Sequence, residues 1–512
     1  MEIPRHFNAA EDLVGRNLAA GRGAKVAFID DQGQCTYAEL DERTKRFGSG
    51  LLSLGLEMEH RVLIAMVDTI DWPVAFLGSI RAGIVPIAVN TLLTTKDYEY
   101  MLSDSRAKAL LVSEHLLPQF EPILKKLPFL RHVIVSGKDA KGHLSFNEIV
   151  SRGKADLRTA PTVRDDACFW LYSSGSTGMP KGTIHVHSSM AITAELYAKG
   201  VLAMKESDTV FSAAKLFFAY GLGNSLSFVL HTGATAVLMA ERPTPDSVFR
   251  RLTEKKPTIF FGVPTLYAAM LASAGFPRKD QLALRTCISA GEALPPQIAK
   301  SFKERTGGLD ILDGIGSTEM LHIFLSNRPG DLRYGTTGKA VPGYELRLVD
   351  EKGNPVKQGE LGELQIKGPT HAMCYWNNRE KSFGTFVGGW TKSGDKYSVD
   401  ADGFYAYGGR SDDMLKVSGI WVSPAEVEAA LVSHEAVLEA AVVGQEDEQK
   451  LVKPKAYVVL KAGQAGSEAM KAALQQHLKE KLAPYKYPRW IEFMAELPKT
   501  ATGKIQRFKL RA

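Results

Sequence analysis

The sequence predicts an α/β protein in two parts: a large N-terminal domain, residues 1–411, built on parallel sheets and carrying a small β-subdomain, and a small α+β domain over residues 412–512. Three features predict it. Apolar runs alternate with amphipathic stretches early in the chain, glycine-punctuated β-rich runs take over after Gly338, and a fresh helix start follows Arg410. At 512 residues the chain exceeds what one hydrophobic core supports, so division into domains is expected.

In chain order, Tyr37–Leu54 has helical spacing, Arg61–Val67 reads as a buried strand, Trp72–Ala82 as a helix and Ile84–Val89 as a strand. Such alternation implies right-handed crossovers and a parallel sheet covered on both faces. The apolar runs Ala109–Val112, His132–Val135, Phe169–Tyr172, Ala234–Met239 and Thr258–Phe261 continue the theme. From Gly338 to Gly409, runs such as Tyr344–Val349 and Gly362–Ile366 are broken by Gly and Asp-Gly turns, the texture of a small barrel or β-subdomain. Beyond the Gly408–Asp412 junction, Ser423 and Glu426 have capping-box spacing, with Pro424 at the first helical position and Val427, Ala430 and Leu431 on one face. Strands at Ala440–Val443, Ala456–Leu460 and Trp490–Phe493 and a helix over Ser467–Leu482 complete the small domain. A large domain with a small cap places a ligand cleft at their junction.

Composition bounds the function. With 45% hydrophobic and 23% charged residues the chain falls among folded soluble proteins, and its net charge of +6 forms no basic arm of the kind that binds nucleic acid. Cys35, Cys168, Cys287 and Cys374 lack zinc or disulfide spacing, and Met1–Val14 has no continuous apolar core of a signal peptide. A cytoplasmic protein, with neither a membrane nor a nucleic acid as partner, is expected.

The run Tyr172-Ser173-Ser174-Gly175-Ser176-Thr177-Gly178-Met179-Pro180-Lys181-Gly182 follows an apolar strand. Its glycines let backbone approach a polyphosphate, its hydroxyls donate to phosphate oxygens, and Lys181 supplies a cation. Pro180 before the lysine and Gly182 after it exclude a Walker A loop. Further along, Thr318 and Glu319 put a hydroxyl beside a hard carboxylate, a pairing suited to a phosphate oxygen and Mg²⁺.

With Ser289-Ala290-Gly291-Glu292-Ala293, Gly316-Ser317-Thr318-Glu319, Ser393-Gly394-Asp395, Gly409-Arg410-Ser411-Asp412-Asp413 and Pro498-Lys499-Thr500-Ala501-Thr502-Gly503-Lys504 following in order, the chain resembles the acyl-adenylate-forming superfamily of acyl-CoA synthetases, adenylation domains and luciferases over nearly its whole length. The resemblance implies ATP and Mg²⁺ as cofactors, coenzyme A as co-substrate, and a mobile C-terminal domain. It makes Ser173, Ser174, Gly175, Ser176, Thr177, Gly178 and Lys181 the phosphate loop. Ala290, Gly291, Glu292, Asp313, Gly314 and Ile315 become walls of the adenine slot, with apolar packing at Ile315 where many relatives have an aromatic residue. Asp395 and Arg410 hold the ribose, Thr318 and Glu319 act on phosphate and metal, and Lys504 reaches the carboxylate and the α-phosphate. Asp412 resembles the hinge about which the small domain turns. That rotation brings in Met414–Trp421, making Lys416 a second-step residue and Phe218, Gly419 and Trp421 the walls of a CoA channel.

For the acid pocket the nearest resemblance, carried by Lys215–Asn224 and Glu319–Phe324, is to benzoate-CoA ligases and their hydroxybenzoate relatives. It implies a small aromatic carboxylate as substrate, with Ala219, Tyr220, Gly221, His322 and Ile323 around its ring. His185 and His187, two apart on an expected strand, and His231 lack acidic or cysteine companions at ligand spacing, which favours structural roles over a metal site. The chemistry implied is formation of an aryl-adenylate followed by a thioester. A free-standing adenylation enzyme loading a separate carrier protein is the alternative, ahead of a non-catalytic adenylate or acid sensor and a luciferase-like oxygenase. A homodimer and a lysine acetyltransferase acting on Lys504 are the further partners in view.

Overall fold

A computed structural model of the chain describes residues 2–173, 179–411, 413–417, 420–448, 451–483, 486–499 and 505–511. Among these, eight strands form one sheet, in spatial order Cys374–Tyr375, Lys181–Val186, Ala167–Ser173, Val85–Ala88, Arg61–Ala65, Ala109–Ser113, His132–Ser136 and Leu144–Ser145. A second sheet of nine described strands has Thr209–Ser212, Ile259–Gly262, Thr286–Ala290 and Ile311–Gly316 at its centre. Each apolar run noted above coincides with a strand, to within one to three residues at either end.

Alternate residues of one strand feed different cores. Val62 and Ile64 face an inner core shared by both sheets, together with Phe28, Ile288 and Leu312. Leu63 and Ala65 face an outer core with Tyr98 and Met101 of the Thr95–Ser105 helix. The second sheet likewise covers its other face, where Phe211, Phe260 and Cys287 meet Val248, Tyr267 and Phe302 from three helices. The layers therefore run helix, sheet, helix, sheet, helix, and strands buried on both faces need the continuous apolar runs that the sequence shows.

The pairing departs from the all-parallel expectation at two places that matter. Ala167–Ser173 pairs antiparallel with Lys181–Val186, and Ile311–Gly316 pairs antiparallel with Ile323–Ser326. Each of the two strongest motifs thus lies at a hairpin at a sheet's edge and not at a strand-to-helix turn. A third, antiparallel sheet carries Glu345–Val349, Gly362–Lys367, Phe386–Val387, Trp390–Val399 and Tyr405–Arg410.

In the small domain, Val437–Glu446, Val452–Leu460 and Trp490–Phe493 form a sheet. Helices Pro424–Val432 and Glu468–Lys481 cover one face through Val427, Leu431, Leu474 and Leu478. The expected capping box at Ser423 is half formed. The Ser423 hydroxyl accepts the Glu426 N–H at 3.1 Å, but the Glu426 carboxylate turns to Lys486 at 2.6 Å, a stronger partner than a backbone amide. No described helix is long and apolar enough to cross a membrane.

Candidate active site

Ser173 and Lys181 face each other across the hairpin that carries the phosphate-loop motif. Ser174, Gly175, Ser176, Thr177 and Gly178 lie outside the described residues. Both ends of the hairpin are tied to the Thr95–Ser105 helix region: the Tyr100 hydroxyl donates to the Pro180 carbonyl at 3.1 Å, and the Tyr172 hydroxyl to Asp104 Oδ2 at 2.6 Å. Burial pulls the Lys181 ammonium below the usual lysine range, opposed by the charge of Glu319.

Glu319 stands on the facing hairpin, in the tight turn Thr318–Met320 that the Ser317 hydroxyl caps through the Met320 N–H at 3.2 Å. Leu321, at φ 67° and ψ −45°, closes the turn in a region side chains rarely adopt, so the backbone there is strained. Gly316 is required at its start, because a Cβ would lie 2.6 Å from the His322 carbonyl carbon. Glu319 Oε1 accepts hydrogen bonds from Ser173 Oγ at 3.3 Å and from the Tyr375 hydroxyl at 2.8 Å. His185 Nε2 lies 2.7 Å from the Thr318 carbonyl and fixes the other half of the pair. Lysine, carboxylate and hydroxyls from two sheets thus meet at one cleft.

Beside it, Ala290 and Gly314 are paired at the ends of adjacent strands, and Gly291 takes φ 100° as the chain turns away. Asp313 is 7% exposed, burial pushes its carboxyl well above the usual range, and its Oδ1 has no hydrogen-bond partner among the described residues. An orphaned acceptor of this kind costs free energy until a donor reaches it, and the exocyclic amine of adenine is such a donor. Ile315 packs half-buried against the inner core, an apolar surface without an aromatic ring. On the third sheet Asp395 and Arg410 face each other across adjacent strands, with Arg410 Nη1 3.2 Å from Asp395 Oδ1. A buried carboxyl with an unsatisfied oxygen, an Asp–Arg pair and a lysine beside a carboxylate are the kinds of group that can bind a nucleotide.

Of the residues expected around the ring, Tyr220 meets His322, two residues beyond Met320. Its ring lies 5.6 Å from that of Tyr220 and 4.4 Å from Phe228, and its Nε2 is 3.1 Å from Asn224 Oδ1 and 3.2 Å from the Tyr220 carbonyl. Gly223 makes the space, since a Cβ there would stand 2.2 Å from His322 Cδ2. Tyr220 and Ala219 are half-buried against the inner core, whereas Gly221, His322 and Ile323 are buried. Asp68, from the strand-to-helix loop after Arg61–Ala65, accepts the Leu216 N–H at 3.2 Å and anchors the segment that leads to Phe218 and Tyr220. Asn224, Gly223, Asp68, His185 and Tyr375 did not stand out as functional in the sequence. A lone Asp, His or Tyr carries no spacing signal, and the partners named here lie far off in the chain: 98 residues for Asn224, 148 for Asp68, 133 for His185 and 56 for Tyr375.

His185, His187 and His231 do not meet. His187 Nδ1 accepts the Ala9 N–H at 3.1 Å, and His231 sits between Arg16 and Glu195. From the small domain, the Ile505 N–H donates to Glu292 Oε1 at 3.1 Å, next to Gly291. Lys504 itself, like Asp412 and Gly419, lies outside the described residues. Lys416 and Trp421 are paired across the short Leu415–Val417 and Ile420–Val422 hairpin.

A family model described as AMP-binding enzyme matches residues 16–376, and one described as AMP-binding enzyme C-terminal domain matches residues 426–504. The chain belongs to the AMP-binding enzyme family. It is similar to a benzoate--CoA ligase of Thauera aromatica, 61% identical over 514 residues that cover 100% of this chain and 97% of that one. A crystal structure of a benzoate CoA ligase from Burkholderia xenovorans superposes with a TM-score of 0.93 at 54% identity, covering 99% of this chain and 100% of the other. That of an anthranilate CoA ligase in complex with anthranoyl-AMP gives 0.96 at 46% identity, covering 100% and 98%.

Proposed function

We propose that the chain is an ATP-dependent aryl carboxylate:CoA ligase, acting on benzoate or a small substituted benzoate. As an AMP-forming acid–thiol ligase it joins the acid to AMP with loss of pyrophosphate, then exchanges AMP for the thiol of coenzyme A. The observation that carries the reading is the six-residue turn Ser317–His322, which holds Glu319 at the phosphate end of the cleft and His322 in the aromatic wall. A flat acid resting on that wall has its carboxylate beside the groups that grip ATP, so the nucleophile is the substrate itself and proximity supplies much of the rate.

In the first step the carboxylate attacks the α-phosphorus and pyrophosphate departs. Lys181 and the loop hydroxyls hold the phosphates, Thr318 offers a hydroxyl to a phosphate oxygen, and Asp313, Asp395 and Arg410 fix the nucleoside. Glu319 would hold Mg²⁺, which when bound neutralises charge on the departing phosphates. Lys504, the chain neighbour of Ile505, whose N–H donates to Glu292, is assigned to the charge that grows on the α-phosphate. In the second step the thiol attacks the acyl carbon and AMP leaves with the bonding pair, with Lys416, Gly419, Trp421 and Phe218 assigned to the path of the thiol. The small domain, residues 412–512, turns about Asp412 between the steps.

The test is kcat/KM for benzoate, 4-hydroxybenzoate, hexanoate and decanoate with coenzyme A present. Packed cores yield little, so an aromatic wall rejects a long flexible chain far more strongly than the roughly 1–3 kcal/mol per methylene of a soft pocket. Benzoates should be preferred, and His322→Ala should extend use to larger ring substituents while lowering efficiency with benzoate. A preference for decanoate overturns the aromatic assignment.

A further inference from the structure

Tyr375 belongs to none of the motifs discussed above, yet it touches two of the groups assigned to the phosphates. It comes from the short strand Cys374–Tyr375, added antiparallel to the edge of the phosphate-loop hairpin, so that Tyr375 is paired with Thr183. Its hydroxyl donates to Glu319 Oε1 at 2.8 Å, while Lys181 Nζ lies 4.5 Å from the centre of its ring. The same segment grips the Glu319 main chain, because the Ala372 N–H donates to the Glu319 carbonyl at 2.7 Å. Tyr375 is 4% exposed, its ring contacts Phe386 at 5.3 Å, and its backbone N–H is held by Ser382 Oγ at 3.0 Å. Side chain and main chain of Glu319 are therefore both fixed by one strap.

The consequence lies in which carboxylate oxygen is engaged. Tyr375 and Ser173 both donate to Oε1, and neither engages Oε2. Two donors on one oxygen set the carboxylate's rotation and direct the other oxygen away from them. The ring's face meanwhile gives Lys181 a favourable seat on the opposite side.

We infer that Tyr375 is a positioning residue for the first half-reaction: it aims Glu319 at the divalent cation of the ATP complex and holds Lys181 at a set separation from that carboxylate. The inference rests on the assignment of Glu319 as the cation's ligand, and the test separates the two.

Mn²⁺ is titrated into the full chain held with a non-hydrolysable ATP analogue, and its affinity is read from water-proton relaxation. Tyr375→Phe keeps the ring, its packing and the lysine contact but removes the donor, and should weaken Mn²⁺ on the order of tenfold, as loss of a group that orients a metal ligand commonly does. The Mg²⁺ concentration for half-maximal pyrophosphate release should rise in parallel, with thioester formation from supplied benzoyl-adenylate unchanged. Glu319→Gln should weaken Mn²⁺ further, and the double variant should match Glu319→Gln alone, because Tyr375 acts through that carboxylate. A purely structural role gives additive losses instead, and additive losses overturn the inference, as does unchanged Mn²⁺ affinity in Tyr375→Phe beside a weakened Glu319→Gln. Unchanged affinity in Glu319→Gln removes the cation assignment itself, and the inference with it.

Discussion

Three buried histidines are held neutral by their surroundings. Burial lowers His185 and His187 to about 4 and His322 to about 3. Their ordinary value is about 6.5 in the unfolded chain, so between about pH 6.5 and 4 the unfolded state takes up protons that the native state refuses. The contribution of these three groups is therefore constant above that window and falls as pH drops through it, by up to about 1.4 kcal/mol per pH unit for each histidine, while the raised buried carboxyls of Asp68 and Asp313 act in the opposite sense. Urea midpoints at about pH 7.5, 6 and 5 measure the slope. His187→Asn keeps an acceptor for the Ala9 N–H but removes one titrating group, and should make the slope within the window less steep by up to about 1.4 kcal/mol per pH unit. An unchanged slope would assign the acid sensitivity to other groups. At this scale the sequence was least legible, since the bond from His185 to Thr318 spans 133 residues and no local pattern encodes it.

The strands were the most legible elements, because a strand buried on both faces is apolar along most of its length, as Val62 to Ala65 and Ala109 to Val112 are. Their pairing was not. Nothing in Ala167–Ser173 says that its next neighbour in the chain turns back antiparallel, and only the Ser173–Lys181 register reveals that the phosphate loop joins two strands. Glu426 shows the same limit: the spacing fits a capping box, but a lysine 60 residues on takes the carboxylate. A hairpin of this kind needs outside anchors to keep its loop in place, and Tyr100 and Tyr172 are those anchors. Tyr100→Phe removes one hydrogen bond at the Pro180 end and should raise KM for ATP in pyrophosphate release about three- to tenfold, with kcat nearly unchanged. An unchanged KM would mean that the loop is held without it.

At the scale of the whole molecule the proposed mechanism has two segments of the small domain serve one site in turn. In this structure Ile505 meets Glu292, while Leu415 and Val417 are buried in the small domain's own core. The small domain adjoins the large one where the Tyr405–Arg410 strand ends, Gly409 lying against Met414 and Pro424 so that a Cβ there would be 3.0 Å from the Met414 sulfur. If one segment serves adenylation and the other thioester formation, variants should separate the half-reactions. Lys504→Ala should slow pyrophosphate release on the order of a hundred- to a thousandfold, as loss of one charge-stabilising donor does, and largely spare thioester formation from supplied benzoyl-adenylate. Asp412→Pro should do the reverse, because a fixed φ obstructs the turn without touching the ATP groups: single-turnover pyrophosphate release continues while benzoyl-CoA formation falls. The two variants must also fail differently when mixed. A chain carrying both should be slow in each step, whereas equal amounts of the single variants, with free exchange of benzoyl-adenylate through solution, should recover overall turnover only if Lys504→Ala chains can use adenylate released by Asp412→Pro chains. Equal loss of both half-reactions in either single variant would refute the division of labour between the segments.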